Sequence, residues 1–354
     1  MILKSLRLTS FKNHPNSVFE FGGNINCILG KNGVGKTNLL DAIYYLSFSK
    51  SSLGSQDRNA ITHDHEAFTI HGTYDKTTIA LQAEKGKSKV LKIDGQEPEK
   101  ISDLIGKIPL VIILPDDTSM IREGSEERRK FFDGAASQFD AVYLESLLRY
   151  NKTLKQRNSL LKQGNTLQPN YQLLETYDEQ LIPMAKKIST KRDELRKSFY
   201  PYLLKNYQDL HDGKELPAIE FKTQVLENFE SVYKASLQKD LLMQRTMMGS
   251  HRDDFIFMLN GEAIKRFGSQ GQQKTFIIAL KLALYDFLKD TTGTKPLLLL
   301  DDIFDKLDDS RIEKLVSLLR DQKRFGQIFV TDARNDRSRE LFKNDKEVVI
   351  IELK

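Results

Sequence analysis

The chain has 354 residues, 39% of them apolar, with one cysteine and a formal charge of +5. That length buries one large core or two smaller ones, and no run approaches the roughly 18 apolar residues of a membrane helix, so a cytoplasmic protein without a membrane partner is expected. Cys27 alone excludes an internal disulfide and any cysteine-based metal site, and so small a net charge permits nucleic acid without demanding it.

Met1 to Ser10 alternates polar and apolar residues and reads as a strand, not as a signal peptide. Strands are predicted over Ile2 to Thr9, Ser17 to Phe21 and Ile25 to Leu29. Gly30, Lys31, Asn32, Gly33, Val34, Gly35, Lys36 and Thr37 then spell G-x-x-x-x-G-K-T, a phosphate-binding loop. Its glycines let backbone N–H groups turn toward phosphate oxygens, Lys36 reaches the outer phosphates, and the Thr37 hydroxyl is placed to hold Mg²⁺. The helical pattern from Asn38 to Leu46 sets those phosphates at a helix N-terminus. Further strands are predicted at Phe68 to Tyr74, Thr78 to Glu84, Lys89 to Ile93 and Leu110 to Leu114, with a turn at Asp94 and Gly95 and a stop at Pro115. His63, Asp64 and His65 lack a third metal ligand nearby, so no metal beyond Mg²⁺ is expected.

From Glu126 to Leu242 apolar residues recur three and four apart, as in Leu144, Leu147, Leu148 and Leu154, or Leu181, Ile182, Ala185 and Ile188. Amphipathic helices joined by a loop at Gly164 to Pro169 make an antiparallel arm. Between Asn151 and Tyr200 ten Lys or Arg face five Asp or Glu, a local excess as large as that of the whole chain. Lys152, Lys155 and Arg157 on one helix, and Lys187, Lys191, Arg192 and Arg196 on the other, are candidate contacts to DNA phosphates, or else a solvated helix face.

A strand resumes at Phe255 with a turn at Asn260 and Gly261, followed by a helix from Gln272 to Leu288 and the buried run Leu297 to Leu300. A helix over Ser310 to Arg320 and strands at Gln327 to Thr331 and Val348 to Leu353 complete a parallel, crossover-connected pattern. The acids ending the Leu297 run divide the chemistry: Asp301 holds Mg²⁺, and Asp302 orients or deprotonates the attacking water. Ser269, Gln270, Gly271 and Gln272 open the preceding helix, either as an N-cap or as a second phosphate-seeking helix end serving the nucleotide of another subunit. The expected organisation is an ATPase lobe in two halves, residues 1–125 and 246–354, around a helical arm at 126–245.

The order of phosphate loop, inserted helices, S-x-G-Q-Q, and L-L-L-L-D-D resembles an ABC-type ATPase head beside Rad50 and the SMC proteins: an α/β fold with a mixed sheet. Gly249 to Asp254 (G-S-H-R-D-D), Leu300 to Arg311, and Pro115, Asp116, Asp117 followed by Gly124 to Asp133 resemble strings of the bacterial RecF family. Leu6 to Asn13 is similar to that family's first strand and its F-[RK]-N, which adds Lys12 and Asn13 to the nucleotide contacts. Ser125 and Ser250 stand where the family usually has proline; Thr331 and Asp332 stand where transporters place a switch histidine; and Asp116 or Asp117 would replace a Q-loop glutamine. His251, Arg252 and Asp253 would contact nucleotide, communicate with the signature helix, or form an ion-pair cluster.

The resemblance implies an ATP- and Mg²⁺-dependent homodimer on double-stranded or gapped DNA. It would be a slow DNA-dependent ATPase used as a switch, acting with RecO and RecR to place RecA. A transporter ATPase would need the switch histidine, a Rad50-like nuclease scaffold a Cys-x-x-Cys hook, and a small-molecule P-loop kinase would have no use for Ser269.

Overall fold

The computed structural model describes the chain except residues 164–169, 212–214, 307, 344–346 and 354, with backbone alone at 305 and 306. In chain order it runs through β1 (Leu3–Phe11), β2 (His14–Glu20), β3 (Ile25–Leu29), α1 (Lys36–Phe48), β4 (Ala67–Tyr74), β5 (Thr78–Glu84), β6 (Val90–Ile93) and β7 (Leu110–Ile113). Next come α2 (Ser119–Arg122), α3 (Ser125–Ser137), α4 (Ala141–Gln163), α5 (Tyr171–Leu210), β8 (Pro217–Lys222), α6 (Phe229–Ala235) and α7 (Leu237–Met243). The chain closes with β9 (Asp254–Leu259), β10 (Glu262–Ala263), α8 (Ile264–Phe267), α9 (Gln270–Thr292), β11 (Leu297–Leu300), α10 (Asp309–Leu319), β12 (Ile328–Asp332), α11 (Asn335–Leu341) and β13 (Val349–Glu352).

Two compact units result. The first is Met1–Asp117, Asp209–Asp212 and Lys274–Lys354; the second is Thr118–Gln208 and Gly213–Gln273. The divisions nearest the expected 125/126 and 245/246 fall at 117/118 and 273/274. The reason is local: β9, expected in the ATPase lobe, pairs with β8 from Pro217↔Leu259 to Lys222↔Asp254, which keeps it with the helices.

In the first unit the parallel and antiparallel strands sort into separate sheets. The parallel sheet has the order β13-β3-β12-β11-β7 and the antiparallel one β2-β1-β4-β5-β6. β3, β7 and β11 are buried along their whole length, as a sheet covered on both faces requires. β4 alternates strictly between buried and part-exposed residues, as a sheet with one wet face does. Phe11, Tyr45 and Phe68 meet edge to face at 5.2–5.7 Å and join α1 to that antiparallel sheet. Because the parallel strands share a direction, the loops after β3, β11 and β12 gather at one carboxyl edge.

The second unit is mostly helical, with the small sheet β10-β9-β8. β8 is absent from the sequence reading, since Pro217 and Glu220 interrupt its apolar pattern. Pairs between Arg157 and Asp178, and between Lys191 and Asp140, set α4 and α5 antiparallel; the loop predicted at 164–169 lies outside the described residues.

Candidate nucleotide-binding site

Gly33 and Gly35 adopt φ of 88° and 104°, conformations that only glycine takes cheaply. At Gly35 space forbids a side chain as well: a Cβ would lie 2.4 Å from the Asn13 amide and 2.8 Å from His14 Nε2. The turn between β1 and β2 clasps the loop here. His14 Nε2 donates to the Gly35 carbonyl at 3.2 Å, and Asn38 donates to Asn13 Oδ1 at 2.7 Å. No side chain caps the start of α1, so its first N–H groups are directed at the loop's interior.

Lys36 is buried and donates to the carbonyls of Gly30 at 2.8 Å and Lys31 at 3.2 Å, folded over the loop it serves. Thr37 Oγ1 donates to Asp301 at 2.9 Å, linking the first turn of α1 to the end of β11 across 264 residues. Thr331 Oγ1, on the intervening β12, donates to the same carboxylate at 2.7 Å and accepts from the Asp302 N–H at 3.0 Å. Burial raises the Asp301 pKa, while the Thr331 and Thr37 hydroxyls and the Lys36 charge oppose that rise. Asp302 carries φ of 42°, strained for a non-glycine residue, so β12 holds this acid in an unusual backbone state.

These donors suit Mg²⁺. A hydroxyl and a carboxylate within hydrogen-bond distance supply hard oxygens, while no cluster of three His, Cys, Asp or Glu occurs among the described residues. Such a pair holds Mg²⁺ only together with water and phosphate oxygens, which is how nucleotide sites bind it. His63 and His65 form no cluster either; His65 bonds Ser10 at 3.0 Å.

Several predicted roles shift. Lys12 is paired at 2.6 Å with the buried Asp41, which also accepts from Ser51 and Ser52, so its charge is engaged in fixing the turn after α1. Asp117 binds Lys281 at 3.0 Å and the Leu114 N–H, leaving Asp116 as the exposed one of the two acids offered for a Q-loop. Asp332 is buried against Arg337 at 2.7 Å and also accepts from Ser338, so the acid at the switch position is engaged in structure. Ser269 belongs to the second unit and makes a reciprocal capping box with Gln272: N–H to Oε1 at 2.7 Å and N–H to Oγ at 3.2 Å. Ser269 and Gln270 are exposed, while Gln272 Nε2 donates to Glu215 at 2.7 Å.

The H-R-D-D and R-R-x-F-x-D strings form one buried ionic core in the second unit. Arg192 binds Asp133 and Asp253 at 2.8 Å each, Arg128 binds Asp254 at 2.8 Å, and Arg129 donates to the Asp253 carbonyl. His251 donates from Nε2 to the Thr246 carbonyl at 3.1 Å, so its bare Nδ1 accepts from the Tyr150 hydroxyl at 2.7 Å. Burial pulls the His251 pKa down to about 4. The ion-pair alternative is the one realised for Asp253, through Arg192, while His251 is held beside it as a neutral, hydrogen-bonded ring; Arg252 is exposed.

Two candidate DNA contacts are corrected. Arg157 is 0% exposed, bound to Asp178 at 2.6 Å and Asp240 at 2.7 Å, and Arg192 is 3% exposed. Helical spacing groups residues on a face without telling which face is covered, and these two arginines point inward. Arg196 binds Asp193 at 2.8 Å, and Lys191 lies 3.4 Å from Glu194. Lys152, Lys155 and Lys187 are exposed.

The model of the RecF/RecN/SMC N terminal domain family matches residues 2–351. A DNA replication and repair protein RecF from Cytophaga hutchinsonii is 45% identical over 351 residues, 98% of this chain and 93% of the relative. The chain belongs to the RecF family. Among its relatives, the RecF of Flavobacterium johnsoniae is 41% identical over 97% of both chains. The solved structure of a RecF with ATP, described as a recombination mediator protein in the RecFOR pathway, superposes with a TM-score of 0.86 at 32% identity, covering 94% of this chain and 92% of that one. An SMC head bound to part of ScpA, at TM-score 0.54 and 14% identity, shares the fold alone. RecF proteins are thus DNA replication and repair proteins on an ABC-type ATPase head, and this chain is one of them.

Proposed function

We propose that this RecF protein binds Mg-ATP between the 30–37 loop and Asp301 and uses it to close a homodimer on double-stranded or gapped DNA. The observation that carries the reading is the joining of Thr37, Asp301 and Thr331 through one carboxylate beside Lys36. Lys36 leaves the loop carbonyls for the outer phosphates, the α1 N-terminus takes the inner ones, and Asn13 with the Lys12 turn braces Gly35. Thr37 and Asp301 would hold Mg²⁺, which would supply neutralisation of the phosphate charge. Asp302 orients the attacking water and receives its proton, with slow turnover acting as a switch.

The exposed Ser269 and Gln270 at the head of α9 suit the γ-phosphate of a second copy, so each protomer completes its twin's pocket. Without that phosphate two positive helix ends and Lys36 confront one another, and the dimer opens. The RecFOR context of the solved relative extends this to RecO and RecR as partners and RecA loading as the outcome. The lone buried Cys27 offers no Cys-x-x-Cys hook, which disfavours a nuclease scaffold.

The test is equilibrium binding to duplex, gapped and single-stranded DNA with ATP, with ADP and without nucleotide. Tighter binding to duplex or gapped DNA with ATP than with ADP is expected; affinity independent of nucleotide on every substrate would refute the reading.

A further inference from the structure

The excess of positive charge in the helical unit is not spread evenly once side chains are placed. On α5, Lys186, Lys191, Arg196 and Lys197 each lie within 4 Å of a carboxylate, from Glu230, Glu194, Asp193 and Asp193 respectively. Arg192 is buried and neutralised, so that helix presents Lys187 and Lys205 as its exposed, unpaired cations among the described residues.

α4 is the opposite. Between Ser146 and Gln163 it contains no acid at all. Its one inward cation, Arg157, is consumed by Asp178 and Asp240, while Arg149, Lys152, Lys155 and Lys162 are exposed and carry no ion pair among the described residues. Lys152, Lys155 and Lys162 fall within a quarter of the helix circumference, with Arg149 about 60° further round, and the four span about 20 Å along the axis. The chain from Arg245 to Arg252, also without an acid, is tied alongside. Thr246 N–H donates to Asn158 at 2.8 Å, and His251 accepts from Tyr150 at 2.7 Å, which sets the exposed Arg245 and Arg252 near positions about 12 Å apart on α4.

A 20 Å stretch of duplex carries about 12 phosphates, so an acid-free ridge of this length meets a dense row of negative charge. We infer that the exposed face of α4, flanked by Arg245 and Arg252, is the surface that receives the DNA backbone, and that α5 is not. The inference rests on the DNA-binding reading above and assigns it a place. The contacts are to phosphates, hence indifferent to sequence and steeply dependent on salt.

The test compares three full-length proteins in Mg-ATP on one duplex: the natural chain, Lys152→Gln/Lys155→Gln/Lys162→Gln, and the α5 control Lys186→Gln/Lys191→Gln/Lys197→Gln. ATP affinity, read separately, verifies that each is folded. Each phosphate contact contributes about 0.9 to the slope of log affinity against log salt, so the α4 variant should flatten it by about 2 to 3 and the control should leave it unchanged. An unaltered slope in the α4 variant, or equal flattening in both, would overturn this surface while leaving DNA binding intact. No DNA binding by the natural chain would remove the functional reading itself, and this inference with it.

Discussion

Replacing Arg157 with methionine separates the two roles that the sequence offered for it. The side chain is wholly buried and holds Asp178 at 2.6 Å, Asp240 at 2.7 Å and Thr246 at 2.8 Å. Methionine fills much of the volume but leaves two carboxylates without their cation, a defect worth about 3–5 kcal/mol. The loss has a definite pH dependence. Burial already raises the Asp240 pKa, so its folded-state contribution is largest below the ordinary carboxylate range and is lost as pH rises through the raised value. Removing Arg157 raises it further, so the destabilisation should be larger at pH 8 than at pH 5. Urea unfolding followed by far-ultraviolet circular dichroism at both pH values measures this, with DNA affinity determined under conditions where the variant stays folded. A loss below about 1 kcal/mol, a loss that does not grow with pH, or a folded variant with a flattened salt dependence of DNA binding would refute the assignment of Arg157 to the core.

His251, with its pKa near 4, should remain neutral through the physiological range and show no imidazole titration by NMR above about pH 5. Its folded pKa lies below the ordinary 6.5, so its contribution is complete above pH 6.5 and lost as pH falls toward 4, by about 3 kcal/mol; His251→Gln should abolish that part of the acid dependence. His14→Leu removes one hydrogen bond to the Gly35 carbonyl and should weaken ATP binding about five-fold, while His14→Gln, which keeps an N–H at similar reach, should restore most of it. Calorimetric titration decides this, and equal affinities in the leucine and glutamine variants would count against a positioning role.

What could be read before the structure was whatever repeats locally. The glycines and Lys36 declare a loop, and the apolar runs before Gly30 and Asp301 declare buried strands, because both signals lie within a few residues. The joining of Thr37 to Asp301 follows from the chemistry those motifs demand. Thr331 gives no comparable signal, since a hydroxyl on a buried strand looks like any other until β12 is seen between β3 and β11. Asp41 and His14 were invisible for the same reason: their partners lie ten or more residues away. In the helical unit a count of charges carries no orientation. Arg157 and Arg192 contribute to a basic composition yet spend that charge inside, and β8 claims β9 through a pairing that sequence distance hides.

The central claim is that one protomer's Lys36, Thr37 and Asp301 and another's Ser269 share a single nucleotide. Sedimentation of the natural chain and of Ser269→Arg, each in saturating Mg-ATP with DNA present, tests it most directly. The natural chain should sediment as a dimer with ATP and as a monomer without it. The variant should bind ATP with unchanged affinity and remain a monomer. A natural chain that stays monomeric, or a Ser269→Arg protein that dimerises as readily as the natural one, would contradict it.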